Sequence, residues 1–217
     1  MIRLYCILLG YAFGLYHTAY FYGRAKGIDI RQHGSGNSGS TNIQRTLGTK
    51  AGLVVLFGDI AKCMAVIFLC DLIFGRTHPE MRYLIKVYAG AGAIIGHNFP
   101  FYLRFKGGKG IAATGGLILS FHPLFVIVGL LLFVGSFLAT HYVSLGSLLV
   151  CAGFLVQMVI MGQLGFFKEM PPAYVYEMYA VTSVLTGMAF VKHRSNLGRL
   201  FRGAERKTYL KKRSDGG

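Results

Sequence analysis

Acidic residues are what this chain has least of. Its 217 residues hold eight Asp and Glu against 23 Lys and Arg, a formal net charge of +15. Charge of either sign is scarce at 14% of residues, well below the roughly 25% of soluble domains, while apolar residues reach 53%. That balance excludes an ordinary water-soluble globule. The four cysteines, Cys6, Cys63, Cys70 and Cys151, lie in apolar stretches and form no C-x-x-C pair, which speaks for buried thiols and against a metal or redox site. The N-terminal apolar run lacks a small-residue cleavage site, and its charge cluster follows it, so it reads as a retained span. Neither a G-x-S-x-G nucleophile elbow nor an H-E-x-x-H zinc motif occurs. What is present is an apolar chain with cationic loops, the pattern of a membrane protein. Its cations suit lipid headgroups or phosphorylated substrates. They are split among loops instead of gathered on one polar domain, which argues against nucleic acid.

Apolar segments run over 2–22, 51–74, 83–98, 111–139, 142–164 and 173–191. A crossing takes about 20 apolar residues for a hydrocarbon core about 30 Å thick. Segment 111–139 is too long for one crossing and carries His122-Pro123, where proline removes a backbone donor and disfavours helix at the preceding residue. One kinked span and a hairpin of two short spans are both compatible with that break. Charge decides between them. Segment 24–50 carries Arg24, Lys26, Arg31, Arg45 and Lys50, segment 99–110 carries Arg104, Lys106 and Lys109, and the tail from Lys192 to Arg213 carries nine Lys and Arg. The positive-inside rule places all three in the cytoplasm, and only the hairpin gives the required parity. The expected fold is therefore an all-α integral membrane protein of about seven transmembrane helices. It forms a single domain over 1–217, N-terminus outside and C-terminus cytoplasmic. Within the spans, Asp59 and Lys62 are three apart and are expected to pair, while Asp71, Lys86 and Glu177 are expected near span ends.

Three polar islands then fall on one membrane face, at 27–48, 96–116 and 193–207. In the first, Gly34, Gly36 and Gly39 have the G-x-G-x-x-G spacing of a dinucleotide fingerprint, but no buried strand precedes them and no βαβ unit fits. A P-loop fails because Ser40, not Lys, follows Gly39. A general phosphate cradle remains. Glycines let successive backbone N–H groups share one concavity, Ser35, Ser38, Ser40 and Thr41 add hydroxyls, and Asn37 and Asn42 add amides. Arg45 could grip an anion with two donors, and a helix starting near Asn42 would aim its N-terminus at it. The second island sets Lys106 and Lys109 among Gly107, Gly108 and Gly110. The third offers His193, Arg194, Asn196, Arg199, Arg202, Glu205 and Lys207. Acidic residues in the islands are only Asp29 and Glu205, too few for a Mg²⁺ site, so no metal and no cofactor are expected. Such a pocket acts by positioning phosphorylated substrates.

Taken together, GSGNSGSTNIQRTLG, GHNFPFYLRFKGGKG and HRSNLGRLFRGAERK resemble the three signature motifs of the bacterial acylphosphate:glycerol-3-phosphate acyltransferases, the PlsY family. DIAKC at 59–63 and HYVSLGS at 141–147 extend the likeness over nearly the whole chain. Ser40, Cys63 and His141 depart from the family's common Ala, Gly and Arg, and GYAFG near the start departs from its G-S-x-P-x-G. No His is followed five positions later by Asp, so the dyad of acyl-CoA-dependent glycerolipid acyltransferases is missing.

The resemblance implies a multi-pass enzyme of the bacterial plasma (inner) membrane with its site facing the cytoplasm. It would move a fatty acyl group from acyl phosphate to the 1-hydroxyl of glycerol 3-phosphate, giving lysophosphatidic acid and phosphate, the first step of phospholipid synthesis. On this reading Ser35, Asn37 and Thr41, with Gly34, Gly36, Gly39 and Asn42, hold the acyl phosphate. Arg45, Lys106 or Lys109, Ser144, His193 and Asn196 hold glycerol 3-phosphate and the developing charge. His97, Asn98, Gly107, Gly108, Arg199 and Glu205 complete the substrate contacts, and the acyl chain lies between spans. Membrane lipids are the surroundings, and no obligate protein partner is implied. Two other classes use the same cations. A transporter of a phosphorylated solute would show an inverted repeat, and none is found. A scaffold for anionic lipid would need charge but not the Gly-Ser-Asn cluster.

Overall fold

A computed structural model describes residues 1–209, so the last three cations of the expected cytoplasmic tail, Lys211, Lys212 and Arg213, lie outside the described residues. The chain is all-helical, with ten α-helices among the described residues. They are α1 (Ile2–Leu15), α2 (Thr18–Ala25), α3 (Ser40–Leu47), α4 (Thr49–Cys70), α5 (Arg82–Asn98), α6 (Ile111–Phe121), α7 (Pro123–Thr140), α8 (Val143–Gln163), α9 (Pro172–Lys192) and α10 (Arg194–Phe201). A π-turn over Asp71–Gly75 prolongs α4. Three helical stretches, Thr49–Gly75, Pro123–Thr140 and Val143–Gln163, are long and apolar enough to cross a membrane. Phe57, Phe68, Leu131, Leu138 and Val184 project outward with more than 60% of their surface uncovered, a coat suited to lipid and not to water.

The tightest packing joins α1 to α5. Gly10 and Gly14 on one helix face Gly92 and Gly96 on the other, and a Cβ at any of the four would collide with a backbone carbonyl of the facing helix. Small residues four apart let two backbones approach where lipid supplies no hydrophobic drive. Helix α4 lies across this pair and also packs on α3 and α6, while α7 leans chiefly on α8. At the end of the bundle remote from the polar loops, Phe121 meets Phe125, Phe154 and Phe167 edge-on at 4.9, 5.5 and 6.2 Å. There too, Asp71 takes a 2.8 Å ion pair from Arg82, and Glu177 on α9 takes Arg3 at 2.7 Å and the Tyr88 hydroxyl at 2.6 Å.

The expected break at His122-Pro123 is present: His122 is extended, Pro123 opens α7, and His122 Nδ1 accepts the Leu124 N–H at 3.3 Å. The expected unbroken segment 2–22 is corrected, because the chain leaves helix at Tyr16 and His17, where ψ is 94° and 91°. The cause is the buried pair within α4. Lys62 Nζ donates to the carbonyls of Gly14 (3.3 Å) and Tyr16 (2.7 Å), replacing partners lost at the break. Its charge is matched by Asp59 at 2.8 Å, and Asp59 in turn accepts the Thr18 hydroxyl at 2.8 Å. The pair anticipated inside the span thus builds a kink.

Candidate active site

The three islands converge on one cavity of about 1140 Å³. Its polar end is walled by the 31–45 loop and α3, by the 106–110 loop, and by α10 with the segment after it. Its apolar end runs between α4, α6, α7 and α8, lined by Leu53, Ile60, Leu119, Val126, Leu130 and Phe133 among others.

The first wall is shaped by Asn42. Its Oδ1 accepts the Ser35 N–H at 2.9 Å, and its Nδ2 donates to the carbonyls of Ile30 (3.3 Å) and His33 (2.9 Å). Gly34 and Gly36 have φ of 61° and 71°, the left-handed conformation this curl requires. Two expectations are refined here. The Asn42 amide is consumed within the loop, and the N–H groups of Ser35, Gly36 and Gly39 are already taken by Asn42, His33 and Asn37. The α3 N-terminus at Ser40 and Thr41 lines the cavity beside this loop, with Gly39 as its cap residue and no side-chain cap. First-turn N–H groups lack intrahelical acceptors, and an anion completes them.

In the second wall, Lys109 donates to Asn196 Oδ1. Gly110, at φ 77°, starts α6. Lys106 and Gly107 line the cavity, whereas Asn98 and Gly108 lie behind its wall. The reason is packing: the Asn98 carbonyl takes Gly107 N–H (3.2 Å) and Lys192 Nζ (2.9 Å), and a Cβ on Gly108 would meet His97 Nε2. His97 reaches the cavity but is engaged by Lys62 at 3.0 Å.

The third wall is a network centred on Glu205. Its Oε1 accepts Asn196 Nδ2 at 2.6 Å and Ser144 Oγ at 3.0 Å, and its Oε2 pairs with Arg199 Nε at 2.7 Å. After Gly203 (φ 67°) the chain runs irregularly across the mouth, held where Thr208 N–H meets the His141 carbonyl at 2.9 Å. Arg45 fastens the same strap through Thr208 Oγ1 (2.7 Å) and the Arg206 carbonyl (3.3 Å).

Electrostatics favour dianions. Arg31, Arg45, Lys106, Lys109, Arg199 and Arg206 line the cavity against Asp29, Asp59 and Glu205. Burial would raise the Glu205 pKa, but hydrogen bonds from Asn196, Arg199 and Ser144 prevail and hold it below the usual glutamate value. Burial, helped by the charges of Arg199 and Arg45, lowers Lys109 to about 8 against the pull of Glu205. Burial and the Lys109 charge lower His193 to about 4, so it is neutral at pH 7. Its Nδ1 lies 2.8 Å from the Ala189 carbonyl, which assigns the proton to Nδ1 and leaves Nε2 as an acceptor at the cavity wall.

Comparison with known proteins identifies the family. The family model described as glycerol-3-phosphate acyltransferase matches residues 4–203. The chain belongs to the glycerol-3-phosphate acyltransferase family of enzymes. It is 39% identical to the glycerol-3-phosphate acyltransferase of Alkaliphilus metalliredigens, over 95% of this chain and 96% of the relative. The crystal structure of PlsY, an integral membrane glycerol 3-phosphate acyltransferase in its glycerol 3-phosphate form, superposes with a TM-score of 0.81 at 28% identity, covering 95% of this chain and 96% of that one. Its lysophosphatidic acid form gives 0.79 at 27% identity, with 96% of each chain covered. The protein is thus an integral membrane enzyme, which decides against the transporter and scaffold readings.

Of the residues expected to hold the substrates, all but Asn98 and Gly108 line the cavity, whereas Ser38, Arg194, Arg202 and Lys207 of the polar islands do not. Sequence reading missed Thr208, which anchors the strap, and His17, which is fully buried behind the loops. The signal for His17 was a polar pair, His17 and Thr18, inside an apolar run.

Proposed function

We propose that the acyl donor is an acyl phosphate, and that the enzyme transfers its acyl group to the 1-hydroxyl of glycerol 3-phosphate, giving lysophosphatidic acid and phosphate. What supports this most is that one cavity joins two cationic walls to an apolar groove between helices. An acyl phosphate is amphipathic in the same order, with its phosphate at the α3 N-terminus and its chain between α4, α6, α7 and α8. Glycerol 3-phosphate fits against Arg45, Lys106, Lys109, Ser144, Asn196 and Arg199. Phosphate is already a good leaving group, so no enzyme nucleophile is needed. The glycerol oxygen attacks the carbonyl carbon, the bond from that carbon to the phosphate oxygen breaks, and the hydroxyl proton ends on the departing phosphate. Lys109 balances negative charge that develops on the carbonyl oxygen and phosphate. His193, neutral and open at Nε2, accepts the hydroxyl hydrogen bond that aims the nucleophile.

The seven helices α1 and α4 to α9 are read as crossings of a bacterial inner membrane. The polar loops then face the cytoplasm, the N-terminus lies outside, and the chain forms one domain. The reaction is read as the first step of phospholipid synthesis. Purified protein is to be incubated with palmitoyl phosphate and glycerol 3-phosphate, with palmitoyl-CoA and palmitoyl-acyl carrier protein as comparison donors. Lysophosphatidic acid and equimolar phosphate are expected from the first donor alone. Turnover of either thioester without acyl phosphate would overturn the donor assignment.

A further inference from the structure

His17 does not line the cavity, yet it sits where the two glycine loops meet. Its ring is fully buried at the break between α1 and α2. Nε2 lies 3.3 Å from Ser38 Oγ, in the first wall, and 3.1 Å from the backbone N of Gly108, in the second. Because an N–H can only donate, the Gly108 contact makes Nε2 an acceptor and places the imidazole proton on Nδ1. That atom is buried without a partner, a penalty the fold carries to keep the ring in this tautomer. The Gly108 N–H is shared with the His97 carbonyl at 3.2 Å, but that carbonyl ends α5 and touches only the second loop. Of the acceptors around Gly108, the His17 ring also reaches the first loop.

The ring is itself held rigidly. It stacks on His97 at 4.4 Å with 27° between the planes. His97 Nδ1 lies 3.0 Å from Lys62 Nζ and 3.6 Å from Asp59, and Asp59 accepts the hydroxyl of Thr18, the next residue after His17. Glycine at 108 allows the approach, since a Cβ there would run into His97 Nε2 and lie 3.0 Å from the Ser38 carbonyl.

We infer that His17 is a positioning residue for the transfer reaction: its imidazole clasps the Gly34–Thr41 loop to the Lys106–Gly110 loop and so sets the separation of the two phosphate-binding walls. This rests on the reading of those loops as the walls for donor and acceptor phosphates. Each wall keeps its own anion contacts if the clasp is lost, so binding of each substrate survives. What changes is the alignment of the hydroxyl, the carbonyl and Lys109, and misplacement by about 1 Å costs on the order of a hundredfold in rate.

The test is steady-state kinetics of the detergent-solubilised full-length protein with palmitoyl phosphate and glycerol 3-phosphate. Wild type, His17→Gln and His17→Phe are compared, with thermal midpoints from a thiol-reactive dye that reads exposure of the four buried cysteines. Glutamine presents a side-chain carbonyl where Nε2 stood and is expected to keep kcat within about fivefold. Phenylalanine keeps the stack on His97 but offers no acceptor. It is expected to lower kcat about tenfold or more, with both KM values within about threefold of wild type. Wild-type turnover by the phenylalanine variant, or equal losses in both folded variants, would overturn the clasp. If the phenylalanine variant does not fold, the glutamine variant decides by the same fivefold margin. Failure of both to fold makes His17 a packing residue and overturns the inference. A wild type inactive with acyl phosphate overturns the donor reading instead, and the same three proteins are then compared with palmitoyl-CoA.

Discussion

Asn196 and Glu205 are joined by a 2.6 Å hydrogen bond from Nδ2 to Oε1, and the opposite face of the same amide receives Lys109. A carboxylate on the strap is therefore linked through Asn196 to the Lys109 ammonium at the cavity wall. Glu205→Gln removes the charge that holds Arg199 and Asn196 in register. Charge-assisted hydrogen bonds are worth about 1.5–3 kcal/mol, so kcat/KM for glycerol 3-phosphate is expected to fall about ten- to a hundredfold. Unchanged kinetics in that variant would mean that the strap is a bystander.

If Lys109 acts as proposed, the reaction is expected to show a basic limb. Its pKa near 8 lies below the ordinary lysine value of 10.5, so the ammonium is lost as pH rises through about 8 in the free enzyme. The profile of kcat/KM, which reports free-enzyme groups, is expected to decline above that pH, and Lys109→Arg is expected to remove the decline. Stability runs the other way. Between about 8 and 10.5 the unfolded chain keeps a proton that the folded chain has released, so this group adds stability as pH rises. A thermal midpoint that rises over this window while activity falls would separate the two effects. His193, near 4, contributes no acid limb between pH 5 and 8.

On the proposed reading, the apolar groove limits the length of the acyl chain. Gly115 on α6 lines it, and a Cβ there would find its nearest neighbour, Ile60, at 3.9 Å, so a larger side chain enters the groove without striking backbone. From Ile111 to Leu119 the helix rises about 12 Å at 1.5 Å per residue. Gly115→Leu fills the middle of that distance. Its kcat/KM is expected to drop about tenfold for palmitoyl phosphate and to hold for octanoyl phosphate, since one methylene that no longer fits a hydrophobic pocket costs about 1–3 kcal/mol. Parallel loss on both donors would place the chain elsewhere.

Lys62 and Asp59 stabilise as a pair and not singly. Lys62→Met leaves Asp59 buried and charged and releases the carbonyls of Gly14 and Tyr16, a change that costs about 3–5 kcal/mol. The double variant Asp59→Asn with Lys62→Met is expected to recover part of that loss. Thermal midpoints in detergent measure both, and a double variant worse than the sum would sink the account.

Much of the site was readable because its chemistry is local. Hydroxyls, glycines and cations sit in three short runs, and membrane sidedness alone brings those runs to one face. The His122-Pro123 break was readable because proline announces it in the covalent structure. The break at Tyr16 and His17 was not, because no proline or glycine pair marks it. It is made by Lys62, 46 residues from Tyr16, which supplies donors to the loosened carbonyls. The same limit applies to the Gly34 loop. Spacing suggested a nest of open N–H groups, but which of them stay open depends on where Asn42 folds back, and that is settled by burial of Ile30 and Ile43 beneath it.

The four glycines that seat α1 against α5 also say something about timing. Membrane helices insert singly and associate afterwards, so α1 has no seat until α5 has been made. At roughly 5–20 residues per second, the 83 residues from Leu15 to Asn98 take several seconds to synthesise. For that interval the glycine stripe of α1 lacks the facing stripe that Gly92 and Gly96 supply. The enzyme is therefore assembled late, when the fifth helix arrives to receive the first.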